Sequence, residues 1–345
     1  FRLTNNGTTA NFTYTEYPKV TITLGYLIKD GTDQDSTAQH EQRNLVRASD
    51  GTLWACYWRS DGTWKQIYVA SSTDNGKTWG EEAVTTGSTN KIGPSCAIDS
   101  QDNLHIVWHN ETLGSYGIYY RRRTSSGWEN QETIATSDKG QWYPAIAIDS
   151  QDNVHVVWWG SGWGTNTGNT QILYSKRVST SSDWSNNREL VTDIANDQSD
   201  PAIAIDSQDN VHVVWRGSGW GTNTGNTQIL YSKRVSTSSD WSNNRELVTD
   251  IAYDQHPATI AIDSSDNVHV VWYGFGWGTN PGNVNIQYSK RVSTSSDWSN
   301  NREAVTDVAN NQFCPTIAID SLGNVHVAWH GLGWGTNPGY RNIQY

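Results

Sequence analysis

Five histidines, His105, His155, His212, His269 and His326, stand 50, 57, 57 and 57 residues apart, each heading a copy or close variant of His-Val-Val-Trp. Imidazoles at one register of a repeat could ring a metal ion. Their setting argues against it: metal ligands are drawn from closely spaced or converging positions, whereas these alternate with apolar residues in strand-like runs. They are expected to be core histidines satisfied by hydrogen bonds, with no metal and no cofactor. The Asp-Ser-x-Asp-Asn run ahead of most of them is too short for an EF-hand calcium loop. It reads as a hairpin turn whose Asp and Asn side chains bond local backbone amides.

Chemistry varies at the residue after the tetrapeptide, which is His109, Trp159, Arg216, Tyr273 and His330 in successive copies. Two neighbouring units sharpen the point. Residues 144–200 and 201–257 differ only where Trp159 becomes Arg216, Asn196 becomes Tyr253, Ser199 becomes His256 and Asp200 becomes Pro257. Aromatic rings stack on the apolar face of a sugar, and Arg, His and Tyr supply directed hydrogen bonds. His109, Trp159, Arg216, Tyr253, His256, Tyr273 and His330 are therefore candidate ligand-binding residues, and none is assigned a catalytic role. Drift in loops is the competing explanation, although the turns at the other end of the unit did not drift. A second set, Trp163, Trp220, Trp277 and Trp334 in Gly-Trp-Gly-Thr-Asn loops, would share that rim, either facing a ligand or packing loop against loop.

The elements that position these residues follow from the unit at 144. Strands are expected at 145–148, 154–158, 171–178 and 189–192, with a turn at 149–153, a glycine-rich loop at 160–170 and a Ser/Thr/Asp/Trp turn before the fourth. The second is apolar on both faces, as in a strand sandwiched between layers. Nothing reads as a helix. A looser copy around Trp54 lies 51 residues before His105, so six units fill residues 40–345. Four antiparallel strands repeated at this period give an all-β, six-bladed β-propeller. Residues 1–39 stand outside the repeat, and their strand at 19–24 is expected to close the ring by supplying the fourth strand that the last unit lacks. In such a blade the end of the second strand and the loop leading to the next blade share one face of the disc, which collects all four differences.

Composition narrows the setting. With 24 basic and 35 acidic residues, a net charge of −11, the chain lacks the positive field that nucleic acid or an anionic membrane demands. No stretch reaches the roughly 20 apolar residues of a membrane span, and no signal peptide is visible. Cys56, Cys96 and Cys314 lie in apolar strand-like contexts without Cys-x-x-Cys spacing and read as buried thiols. The Ser/Thr/Asn/Gly-rich surface and the sequons at Asn6, Asn11 and Asn110 point to an extracellular or cell-surface location.

Residues 72–79 read Ser-Thr-Asp-Asn-Gly-Lys-Thr-Trp. This stretch resembles the Asp box of the sialidase superfamily, with Asp74 capping a tight hairpin, Gly76 at positive φ and Trp79 packing between sheets. Later units carry worn forms at Asp183-Trp184, Asp240-Trp241 and Asp297-Trp298. The resemblance implies a six-bladed propeller whose Asp boxes face away from the ligand side. It also implies places for sialidase groups: Arg43 where a first-blade arginine would grip a carboxylate, Asp61 near the acid, Arg216 and Arg341 to complete a triad, and Tyr253, Tyr273 or Tyr340 as nucleophile. No Glu falls beside any of these tyrosines. Near-identical blades suit shallow multivalent binding better than a catalytic centre that needs a different residue from each blade. The expected function is glycan binding, with an exo-sialidase or related glycoside hydrolase as one alternative and a structural or adhesion protein, with possible self-association, as another.

Overall fold

The computed structural model describes residues 44–111, 116–184, 188–241, 245–298, 302–334, 339 and 341–345. It contains six antiparallel sheets arranged radially, with no helix among the described residues. The first sheet is β1 (Leu45–Arg47), β2 (Leu53–Ser60), β3 (Lys65–Ser72) and β4 (Gly80–Ala83), in that order. The second is β5 (Asn90–Ile98), β6 (Leu104–Glu111) and β7 (Tyr116–Thr124), with β8 (Gly127–Trp128) and β9 (Glu132–Ser137) both paired to β7. The third is β10 (Gln141–Ile148), β11 (Val154–Gly160), β12 (Gln171–Arg177) and β13 (Arg188–Leu190). The fourth is β14 (Gln198–Ile205), β15 (Val211–Gly217), β16 (Gln228–Arg234) and β17 (Arg245–Leu247). The fifth is β18 (Gln255–Ile262), β19 (Val268–Gly274), β20 (Asn285–Arg291) and β21 (Arg302–Ala304). The sixth is β22 (Gln312–Ile319), β23 (Val325–Gly331) and β24 (Asn342–Gln344). The strand expected at 19–24 to close the ring lies outside the described residues.

The core lies between consecutive sheets, which is why the second strands are apolar on both faces. Val154, Val156 and Trp158 turn toward Val107, Ile118 and Ile134 of the second blade. Val157, Ile172 and Tyr174 turn the other way, onto Val211, Val213 and Trp215 of the fourth. Trp108, Trp158, Trp215 and Trp272 are fully buried, and an indole of this kind removes about 150–250 Å² from water. First strands of neighbouring sheets lie against one another, so they surround the axis.

Polar side chains clasp one blade to the next. Ser100, Ser150 and Ser207 each donate, through backbone N–H and hydroxyl, to Asp152, Asp209 and Asp266 of the following turn. Glu132 accepts from both Arg177 and the Trp184 indole of the third blade. Glu189 does the same for Arg234 and Trp241, and Glu246 for Arg291 and Trp298. The tryptophans of the worn turns are thus drawn into the interblade core, where Trp241 meets Tyr174 edge-on at 5.2 Å.

Four of the five recurring histidines are core residues; His326, with a third of its side chain exposed, meets Asp320 and Tyr345 in the same way from a partly open position. His155 Nε2 lies 2.9 Å from Asp149 Oδ2 and Nδ1 lies 2.8 Å from the Tyr174 hydroxyl, with the same chain at His105, His212 and His269. Burial holds all four imidazoles below their usual 6.5, against the upward pull of the aspartates. Each is therefore neutral at pH 7, donating from Nε2 to the carboxylate and accepting from the tyrosine. Burial raises the aspartates, but hydrogen bonds from His and Asn outweigh it and leave each well below 3.8.

Both shifts have one sign for stability. The unfolded chain binds more protons than the folded one, first below pH 6.5 through the histidines and again below 3.8 through the aspartates. Stability present above each value is lost as the pH falls past it. The thermal midpoint is expected to drop between pH 7 and pH 5, although the net charge shrinks toward zero over that interval as the pI of about 5.2 is approached. A midpoint that rises steadily across it would refute the assignment.

Some local expectations differ. The first strand begins at Gln141, not at 145, because a bulge between Trp142 and Ala145 lets pairing resume toward the axis. Trp79 is not packed between sheets; partly buried, it folds over its own turn and donates to the Gly76 carbonyl. Asp74 does cap that hairpin, accepting from Ser72 and from the Thr78 amide and hydroxyl. Cys56 and Cys96 are buried thiols, while Cys314, at the sixth blade's bulge, is only partly buried.

Candidate functional site at the mouth of the ring

Each site element starts from a buried amide. Gln141 Oε1 accepts from the Trp158 and Trp163 indoles at 2.8 and 3.1 Å, while its amide donates to the Gly140 and Ser161 carbonyls. A Cβ on Gly160 would lie 2.4 Å from this side chain, so glycine is required opposite it. Gln198, Gln255 and Gln312 repeat the arrangement with Trp220, Trp277 and Trp334. Arg188, Arg245 and Arg302 then cover the rings of Trp163, Trp220 and Trp277. The Gly-Trp-Gly-Thr-Asn loops are therefore consolidated structure. Asp193 finishes the first, held at about 2 by the Thr165 amide and further donors from Thr165 and Asn166.

Immediately after each buried amide, and after the buried Lys91 that takes its place in the second blade, the first strand and the end of the second present a pair on the same face. Trp142 lies opposite Trp159, Ser199 opposite Arg216, Phe313 opposite His330 and Ile92 opposite His109. Every first strand from the second blade onward bulges here. At the bulge Tyr143, Asp200 and Cys314 hold left-handed φ of 47°, 54° and 50°, where the second blade has Gly93 at 62°. Non-glycine residues in that region carry strain, and bulges of this kind re-aim side chains. Each of the second to sixth blades thus offers three residues at the axial mouth.

The third blade supplies Trp142, Tyr143 and Trp159, all partly exposed. Trp142 and Trp159 have ring centroids 4.5 Å apart, and Tyr143 reaches back to His109 at 4.6 Å. The fourth supplies a charge. Asp200 is buried with a side-chain exposure of 1%, and its Oδ2 accepts from Arg216 Nε at 2.5 Å, while Arg216 remains 30% exposed. Nε also donates to Ser199 Oγ, and no described residue accepts from Nη1 or Nη2. The guanidinium is fixed at its base, and within the described residues its terminal nitrogens are left over. The fifth blade stacks His256 on Tyr273 at 4.9 Å and 12°, and Tyr273 meets Phe313 of the sixth at 5.9 Å. Burial, then Arg216, holds His256 below 6.5; burial, then Arg341, does the same for His330.

Trp159, Arg216, His256, Tyr273 and His330 accordingly stand partly exposed around one mouth, whereas His109, at the same register of the second blade, is only 1% exposed and packs against Tyr143, out of reach of a ligand. Tyr253 is 47% exposed in the loop before β18, against Gly276. Asp61 lies in the turn after β2, where its carboxylate accepts the Thr63 and Trp64 amides, which lower its pKa. Arg43 and Tyr340 lie outside the described residues. Trp142, Tyr143 and Phe313 escaped the sequence reading, although the Gln-x-x-Pro frame shared by residues 141–144, 198–201 and 312–315 marks their positions. Among the described residues no cluster of three His, Cys, Asp or Glu is arranged to hold a metal.

No protein-family model and no curated protein matches the sequence. Solved structures match in fold. An α-L-arabinanase from Penicillium chrysogenum, complexed with arabinobiose, superposes with TM-score 0.60 at 12% identity, over 86% of this chain and 90% of that one. An α-L-arabinofuranosidase from Fusarium graminearum, in complex with an iminosugar inhibitor, gives 0.59 at 14%, over 87% and 90%. An ulvan lyase gives 0.61 at 9%, over 90% and 81%. At these identities the likeness is one of architecture: the chain folds as a six-bladed β-propeller.

Proposed function

We propose that this chain is a glycan-binding propeller, secreted or displayed at a cell surface, that takes its ligand at the axial mouth. One observation carries the reading: aromatic rings from several blades stand partly exposed around Arg216, whose terminal nitrogens find no acceptor among the described residues and whose base is fixed by a buried carboxylate. Rings of this kind stack on sugar faces, and a fixed guanidinium directs hydrogen bonds to hydroxyls or acids. The similar folds of an arabinanase, an arabinofuranosidase and a lyase fit a carbohydrate ligand and keep an enzyme as the second reading. Hydrolysis by the usual route requires two carboxylates flanking the bond. At the equivalent positions of the second to sixth blades there is one, Asp200, already engaged by Arg216. The Asp74 hairpin and its worn copies support a place among sialidase-like propellers.

Ligand-observed NMR with mixed sialylated and neutral glycans tests this. Saturation transfer to intact sugars, weakened in Trp159→Arg, is the expected result. That variant copies the residue the fourth blade carries in an otherwise matching strand, so the fold should accept it. Free reducing sugar appearing during the experiment would establish the enzyme instead.

A further inference from the structure

The mouth is not uniform around its circumference, and its pattern bears on the size of the ligand. Resting on the glycan-binding reading, we infer that it holds two sugar-stacking subsites on either side of the Arg216–Asp200 pair, and that its ligand is an oligosaccharide lying across three blades rather than a single terminal sugar. The first subsite is Trp142 with Trp159, whose rings are 4.5 Å apart. The second is Tyr273, with His256 stacked on one side and Phe313 edge-on. Between them the fourth blade has Ser199, Asp200 and Arg216, with no ring at any of its three positions.

Two aromatic clusters separated by a polar blade cannot serve one ring. The first strand of the fourth blade lies between those of the third and the fifth, so equivalent points on the third and fifth blades are held apart by a whole intervening blade and face different units of a sugar chain. A chain that stacks a unit on each cluster passes its middle unit over Arg216, where Nη1 and Nη2 have no acceptor among the described residues. The near-identity of the third and fourth blades strengthens the point. Their frames match through the strands, and the third blade carries tryptophan where the fourth carries the arginine, so the alternation resides in side chains laid on a common scaffold. Linked subsites gain affinity together because the second contact becomes intramolecular.

The test is calorimetric titration of the protein with arabino-, xylo-, galacto- and uronate-oligosaccharide ladders of one to six units, followed by the same titrations with Trp159→Arg and Tyr273→Ala. Affinity is expected to rise at least tenfold between the monosaccharide and the tri- or tetrasaccharide and then level off. Each variant should lower tetrasaccharide affinity by about tenfold, and the pair of substitutions together should bring it down to that of a single sugar. A monosaccharide binding within threefold of the tetrasaccharide, or one variant abolishing binding while the other is silent, would leave one subsite and overturn the inference with glycan binding intact. Failure of every ladder to bind would remove the glycan reading itself. Circular dichroism and the melting midpoint of each variant separate loss of ligand from loss of fold, and Tyr273→Leu, which removes the ring but keeps apolar bulk, replaces Tyr273→Ala should the latter unfold.

Discussion

Replacing Glu189 by alanine is expected to destabilise the ring by about 3–5 kcal/mol, the range for removing one partner of a buried ion pair. Glu189 is 17% exposed and receives Arg234 through both Nε and Nη2 at 2.8 Å, while its Oε2 also accepts the Trp241 indole at 2.7 Å. The variant strands a guanidinium of 12% exposure and an indole N–H, all at the interface between the third and fourth blades. Urea unfolding followed by tryptophan fluorescence measures the loss. The joint variant Glu189→Leu/Arg234→Met should regain most of it, since an apolar pair of similar volume avoids the desolvation cost. Part of the deficit should persist, because Arg234 also covers the Tyr174 ring at 5.4 Å. A loss under 1 kcal/mol in the single variant would show that the clasp adds nothing beyond apolar packing.

The second large effect separates function from stability within one pair. Arg216→Ala should reduce glycan affinity by about two orders of magnitude, the equivalent of one or two charge-assisted hydrogen bonds. It should also destabilise the fold by about 1–3 kcal/mol, because Asp200 is left buried without its guanidinium. Adding Asp200→Gly should restore stability while binding stays lost. Glycine removes the carboxylate and suits the left-handed φ of 54° at this bulge, and the second blade already carries Gly93 there. If the double variant bound sugar as the native protein does, Arg216 would be a structural residue with no part in recognition.

The strand pattern, the number of units and the face that varies were all legible because they are properties of repetition. A period of 57 residues with alternation inside it leaves little choice of architecture, and apolar residues on both faces of Val154–Gly160 require cover on both sides. The histidines were readable for the same reason: a polar residue alternating with valines in a buried strand must find partners, and Asp149 and Tyr174 are those partners. Trp163 and its copies were ambiguous because indoles in a glycine-rich loop look alike whether they face a ligand or an amide. Only their hydrogen bonds to Gln141 and its equivalents, formed across 22 residues, settle their role.

Sequence by itself determined the blade, its strands and the positions where one copy departs from another, since these follow from local alternation and from comparing the chain with itself. Tertiary structure decided which departures meet. Trp142 is 17 residues from Trp159 and Asp200 is 16 from Arg216; strand pairing sets the first two opposite one another, and a bulge at the end of the first strand brings Asp200 to Arg216. Such a bulge depends on backbone conformation that the side chains tolerate rather than demand, as Gly93, Tyr143, Asp200 and Cys314 at one position show. The mouth is therefore a product of radial packing, which turns equivalent points of separate blades toward one axis.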